Sequence, residues 1–310
     1  MISLKQKELI ISNNIKEADL ITHSGTFHSD DIFSTVILKN ILDKECIKIC
    51  RINDIEEEID SIVYDIGGGK YDHHQPGGNG ERENGIKYSS FGLIWKDFGK
   101  VFLEKIGVEN ISQVWEKIDK KIVQTIDATD NGQFSIINKF DFEIVTIPNL
   151  ISVYNSNWDE EEKQDIFFLQ AVEFAENILI KIIIDEDSKE KAKILIETAI
   201  EESENQIIIL EKFLPWKECL LQSTNPKAKD ILFVIFPSNR EGYNICTVPK
   251  ELGSFESKKL FPIEWKGLRD EELQKITGVN TAFFCHNERF ICCTRTKDDA
   301  LKIAELAINS

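Results

Sequence analysis

Apolar and polar positions fall into blocks whose period changes along the chain. A short apolar run, Ala18 to Ile21, ends in the polar stretch Thr22-His23-Ser24-Gly25. Behind it Ile32, Phe33, Val36, Ile37 and Ile41 recur at helical spacing between Asp30 and Leu42, so the pattern predicts strand, loop and helix. Cys46 to Ile52 and Ser61 to Tyr64 read as two more buried strands, the second running straight into Asp65-Ile66-Gly67-Gly68-Gly69. Helical periodicity returns over Phe91 to Ile106 and again over Val114 to Ile126. The latter closes on Thr129-Asp130-Asn131-Gly132, where Asn and Gly suit a helix C-terminus. Strands alternating with helices predict an α/β fold, a mostly parallel sheet with helices on both faces.

From Asp159 to Leu214 the pattern predicts two long amphipathic helices, parted near Asp185-Glu186-Asp187-Ser188, whose acidic faces read as solvated surface. Pro215-Trp216 closes this section. Strands are predicted over Ile231 to Phe236 and Tyr243 to Val248, a hairpin over Phe283 to Thr294 turning at His286-Asn287-Glu288, and a last helix over Lys297 to Ile308. The expected organisation is an α/β domain at residues 1–150, an acidic helical connector packed on it at 151–214, and a smaller C-terminal α+β domain at 215–310.

Composition narrows the function classes. Of 310 residues, 42% are hydrophobic and 29% charged, which is ordinary for a folded globular chain. No apolar run approaches the roughly 18 residues of a membrane span, and the first twenty residues lack an export or transit pattern. No membrane partner is expected. Seven cysteines without a C-x-x-C pair fit neither a disulfide framework nor a structural zinc site, so a reducing, cytoplasmic location is expected. A net charge of −17 argues against a general nucleic-acid surface. The excess is uneven, since Asp159 to Asn205 holds fifteen acids against five lysines, and a local substrate groove elsewhere stays open.

Four of the five histidines lie between His23 and His74, each beside carboxylates or glycines at an inferred strand end. In open α/β sheets such ends converge in space. Imidazoles mixed with carboxylates suit a transition metal better than magnesium or calcium alone, and more donors than one tetrahedral ion can use favour two ions. In phosphoryl hydrolysis such a pair typically sits about 3.5–4 Å apart and activates a water. Taken singly, Asp31, Asp127 or His286 reads as a cap or loop residue, and the glycines at 67–69, 77, 78 and 80 read as loop flexibility. Asp72-His73-His74 together with Asp65, His23 and His28 does not, because so many desolvated ionisable groups need compensation.

The phrases Thr22-His-Ser-Gly-Thr-Phe-His28-Ser-Asp30-Asp31, Asp65-Ile-Gly-Gly, Tyr71-Asp-His-His-Gln75, Ile126-Asp-Ala-Thr-Asp-Asn-Gly132, Pro215-Trp-Lys-Glu218 and Trp265-Lys-Gly-Leu-Arg-Asp270 resemble the family named for the melanocyte proliferating gene, a branch of the DHH phosphoesterases. The resemblance runs from about residue 18 to the C-terminus. It implies a parallel-sheet catalytic domain, a smaller domain closing over it, divalent ions, expected to be two Mn2+ with Mg2+, Co2+ or Zn2+ as substitutes, and 3′ to 5′ exonuclease action on RNA. Carried over by position, the metal ligands would be His23, His28, Asp30, Asp65, His73 and Asp130. Asp72 would brace the loop or His73, and His74 would face the scissile phosphate; these two are the catalytic candidates. Asp127 would stand behind the ligands.

One departure concerns substrate grip. Where relatives carry Phe-Ile-Gly-Gly-His, this chain has Phe290-Ile-Cys-Cys-Thr294. Arg269, Arg289 and Arg295 are the weaker substrate-binding candidates. The expected function is a metal-dependent phosphodiesterase acting on single-stranded RNA or short oligonucleotides, with room for a homo-oligomer. The alternatives are a small-molecule phosphatase or pyrophosphatase on the same metals, and a metal-binding protein without turnover.

Overall fold

The first sheet is built from short apolar runs that all point the same way. A computed structural model describes residues 2, 4–55, 60–136, 141–160 and 163–310. Strand β1 (Glu8–Ile11) precedes β2 (Leu20–His23), helix α1 (Ser29–Ile41), β3 (Cys46–Ile52) and β4 (Ile62–Val63). The four strands are ordered β1-β3-β2-β4 and every pair is parallel. Their carboxyl ends therefore share one edge, with His23 level with Ile52 on β3 and Asp65 two residues beyond β4. That edge is where ligand sites form in open parallel sheets.

Side chains alternate across each strand. Leu20, Ile47 and Ile49 enter the main core. Ile21 and Cys50 point to the other face, into a small cluster with Ala18, flanked by Ile15, Ile52, Ile55 and Val63. The main core is closed by Phe33, Val36 and Ile37 of α1 and by Phe91, Ile94 and Trp95 of α2 (Ser90–Lys105). Where the periodicity predicts one helix over Val114 to Ile126, the chain forms α3 (Ile111–Ile118), a π turn (Asp119–Val123) and α4 (Gln124–Asp130). The apolar stripe survives the π turn, so the pattern does not betray it. Helix α5 (Ile147–Ser152) follows.

The two acidic helices expected between Asp159 and Leu214 are a single helix, α6 (Gln164–Glu201). The stretch Asp185-Glu186-Asp187-Ser188 contains no Gly or Pro to stop it. Glu186 and Asp187 are buried, and Glu186 takes an ion pair from Lys121, so this acidic run is an interior contact rather than a break.

The chain divides into units Met1–Asp187 and Ser188–Ser310. The second carries β5 (Ile207–Ile209), α7 (Trp216–Gln222), β6 (Phe233–Pro237), β7 (Tyr243–Thr247), α8 (Asp270–Thr277), β8 (Ala282–Cys285), β9 (Ile291–Thr294) and α9 (Lys297–Ile308). Its sheet is ordered β5-β6-β7-β9-β8, with β5 and β6 parallel and the rest antiparallel. Ala300, Ile303, Ala304 and Ala307 of α9 share a core with Phe233, Ile235 and Ile245. Among the described residues no helix is long and apolar enough to cross a membrane.

Candidate metal centre

Three loops and two helix ends deliver the site. His23 ends β2, and its Nδ1 is 3.0 Å from the Ser24 carbonyl, which turns Nε2 toward Asp31 Oδ2 at 3.2 Å and Asp65 Oδ2 at 3.4 Å. Asp65 lies in the left-handed region with φ 58°. Its N–H donates to the Tyr71 carbonyl, closing a loop in which Gly67 and Gly68 also take positive φ. Gly68 needs that freedom, because its N–H donates to Asp72 Oδ2 at 2.6 Å. These two glycines are thus more than loose linkers.

Asp72 in turn shapes the histidine pair. Its Oδ1 accepts from the His74 N–H at 2.9 Å and lies 3.1 Å from His74 Nδ1. Burial opposes its charge, yet the His74 ring, the His74 N–H and the Gly68 N–H outweigh it and hold Asp72 down to about 2. His73 Nε2 lies 2.8 Å from Asp130 Oδ2 at the end of α4, and its Nδ1 lies 3.4 Å from Asp65 Oδ1. The Ser90 N–H, at the start of α2, points at both His73 Nδ1 (3.2 Å) and Asp30 Oδ2 (3.3 Å). His74 stands at the mouth with its side chain 56% exposed, whereas the His73 side chain is 8% exposed.

The arrangement offers three sets of ligand atoms close enough for an ion: Asp65 with His73 and His74, His23 with Asp31 and Asp65, and His28 with Asp30 and Asp130. All eight candidates from the first unit, His23, His28, Asp30, Asp65, Asp72, His73, His74 and Asp130, therefore meet at one edge. Asp31 joins them. Read alone it suggests a cap, and it does accept the His28 N–H at 3.0 Å, but its other oxygen faces His23. The signal lies in two adjacent acids on the first turn of a helix, where consecutive side chains can serve neighbouring sets.

The donors fit cations. Asp30 Oδ1, Asp31 Oδ2 and both oxygens of Asp65 are sealed from solvent without a hydrogen bond. Burial first, then the charges of Asp65, Asp130 and Asp31, pushes Asp30 well above the usual carboxylate range. Burial also raises Asp31, against the pull of His23. At His23 burial opposes the charged ring, but Asp31 and Asp65 prevail and lift it to about 10. The proton they hold there sits where a cation would be equally welcome, and orphaned buried carboxylates are what a metal compensates.

Behind this centre is a buried support that the sequence pattern places only in part. Asp127 is fully buried and accepts from Ser89 N–H and Oγ, from the Gly92 N–H and from Arg82 Nη1 at 2.5 Å. Arg82 also reaches Asp119 of the π turn at 3.1 Å. Burial pushes Asp127 up to about 6 despite the guanidinium. Arg82 sits in an aperiodic polar loop, where nothing in the sequence pattern marks it.

The three arginine candidates lie in the second unit. Arg269 lies over the Phe284 ring, Arg289 Nη1 donates to the Phe261 carbonyl, and Arg295 pairs with Glu241 and lies over Phe283. Cys292 and Cys293 occupy the middle of β9, with Cys292 fully buried opposite Cys285.

Fold and site together define an α/β protein with a candidate histidine–aspartate metal centre at the carboxyl edge of a parallel sheet. The chain belongs to the family whose model, MYG1_exonuc, is described as "Uncharacterised protein family (UPF0160)", matched over residues 19–308. It is 30% identical over 340 residues to "MYG1 protein YER156C" of Saccharomyces cerevisiae, covering 99% of this chain and 100% of that one. It is 28% identical to the "MYG1 protein" of Dictyostelium discoideum, covering 95% and 98%, and 29% identical to the "MYG1 exonuclease" of Homo sapiens, covering 93% and 85%. No solved structure matches the chain.

Proposed function

We propose that this chain is a metal-dependent phosphodiesterase that removes nucleotides in the 3′ to 5′ direction from single-stranded RNA or short oligonucleotides. The observation that carries the reading is the pairing of metal-competent sets through adjacent Asp30 and Asp31, with exposed His74 beside them. A relative named for exonuclease action supports the substrate class. His23, His28, Asp30, Asp31, Asp65, His73 and Asp130 would hold the ions, Mn2+ being the expected species and two the expected number. Bound ions would lower the pKa of a water and offset charge on the phosphate.

The chain's own contribution is positioning. Asp72 fixes His74 through Nδ1, which leaves Nε2 to donate to a phosphate oxygen. The Asp72 carboxylate favours the protonated His74 ring, since its hydrogen bond raises the ring above the ordinary histidine value against the effect of burial.

The test uses purified protein, elemental analysis and an end-labelled RNA oligomer. The expected outcome is close to two divalent ions per chain and a ladder shortened from the 3′ end, lost in Asp72→Ala and His73→Ala. Phosphate released from pyrophosphate with no nucleotide product from RNA would instead make the protein a small-molecule phosphatase. Bound metal with no turnover on either would make it a binding protein.

A further inference from the structure

In a chain of net charge −17, Lys87, Lys96 and Lys100 lie close together along the chain, and among the described residues none of the three has a carboxylate at ion-pairing distance. All three are exposed. Lys96 and Lys100 are four residues apart on α2 and so share a face. Lys96 Nζ lies 5.2 Å from the centre of the Tyr88 ring, which also carries Arg82 at 4.3 Å. Lys100 Nζ lies 5.4 Å over Trp115, a ring stacked on Trp95. Tyr88 and Trp115 are both partly exposed. Asp97, the acid next to Lys96, is already engaged by Lys70 Nζ at 2.6 Å and the Tyr71 hydroxyl at 2.9 Å. Glu104 lies one turn beyond Lys100 and marks the far end of the strip.

The strip begins at the metal centre. Lys87 is three residues before Ser90, whose N–H points at His73. At 1.5 Å rise per residue, Lys96 lies about 9 Å and Lys100 about 15 Å along α2 from Ser90. Cations interleaved with part-exposed rings are what a single strand needs, the cations for its phosphates and the rings for its bases or sugars. Against a net charge of −17, a polyanion rests most readily where cations lie beside aromatic rings and close to the metal centre, as these do.

We infer that Lys87, Lys96 and Lys100, with Tyr88 and Trp115, form the track that holds the phosphodiester backbone of a single strand leading into the metal centre. This rests on the nuclease reading above, and it goes further by naming the surface that makes affinity depend on strand length. The three arginines of the second unit are not required for it.

The test measures anisotropy of a labelled single-stranded dodecamer and a dinucleotide on the full-length protein, with cleavage followed in parallel. For Lys96→Glu/Lys100→Glu the expected result is at least about a ten-fold loss of dodecamer affinity and a salt slope shallower by about 0.7 for each phosphate no longer neutralised. The dinucleotide, too short to reach these positions, should bind within about two-fold of the parent protein. Lys96→Gln/Lys100→Gln should fall between. Equal dodecamer affinity in parent and variants would overturn the track, and continued cleavage of RNA by both would leave the nuclease reading standing. Parent protein that cleaves no oligonucleotide would sink the nuclease reading. An acidic peptide that binds the strip while the dodecamer does not would overturn the track as well.

Discussion

Asp127 illustrates how one residue can hold a site it does not touch. It takes four hydrogen bonds from Arg82, Ser89 and Gly92, and so ties the start of α2 to α4, three residues before Asp130. Removing either partner of a buried ion pair leaves the other charge uncompensated, at about 3–5 kcal/mol. Arg82→Met and Asp127→Asn should therefore each lower unfolding free energy by about 3 kcal/mol, read by urea denaturation. They should also weaken Mn2+ binding by about 10–100-fold, the usual effect of losing a group that orients ligands, read by calorimetric titration. Lost stability with unchanged metal affinity would confine the pair to a scaffolding role. The carboxylates and histidines of the centre are legible in the sequence because they cluster in recognisable phrases. Arg82 and Ser90 are not, because one lies in an aperiodic loop and the other acts through its backbone N–H.

At the scale of the element, the entry to α2 carries the tightest constraint. A methyl group at Gly92 would run into the Asp127 carboxylate, although Gly92 has ordinary helical φ. Two effects compete in Gly92→Ala. Helix propensity favours alanine by about 1 kcal/mol, while overpacking against a buried, fixed carboxylate costs about 1–3 kcal/mol. The clash should win, and thermal melts should show a lower midpoint with Mn2+ affinity reduced as well. The periodic elements are readable where one strong pattern has clear ends: α9 spans Lys297 to Ile308 as its spacing predicts. Strands β1 and β5, of four and three residues, are too short to show alternation and owe their existence to pairing with β3 and β6. The middle of α6 misleads because an acidic run suggests solvent, whereas Glu186 turns inward to Lys121.

At the scale of the whole molecule, metal and folding are one equilibrium. The unbonded oxygens of Asp30, Asp31 and Asp65 are buried together, so the ligand-free protein carries mutual repulsion that unfolding would relieve. Mn2+ at about 100 times its dissociation constant should add about 2.7 kcal/mol per independent site, and a chelator should take it away. Differential scanning fluorimetry would show the shift in the parent protein and a smaller one in His23→Ala, which keeps the set of His28, Asp30 and Asp130. A parent protein whose midpoint ignores Mn2+ would mean that these carboxylates are not ligands. Parallel pairing explains why so much of the site is visible in the sequence: once β2 and β4 are adjacent and codirectional, His23 and Asp65 must be neighbours. The left-handed backbone at Asp65 sets durability against ligation. Glycine and asparagine settle there more readily than aspartate, so random drift at this position would favour side chains that relax the loop. Asp65→Asn should melt higher than the parent while binding Mn2+ more weakly, because Asp65 belongs to two of the three ligand sets, so the acid here holds the chain below its own optimum of durability.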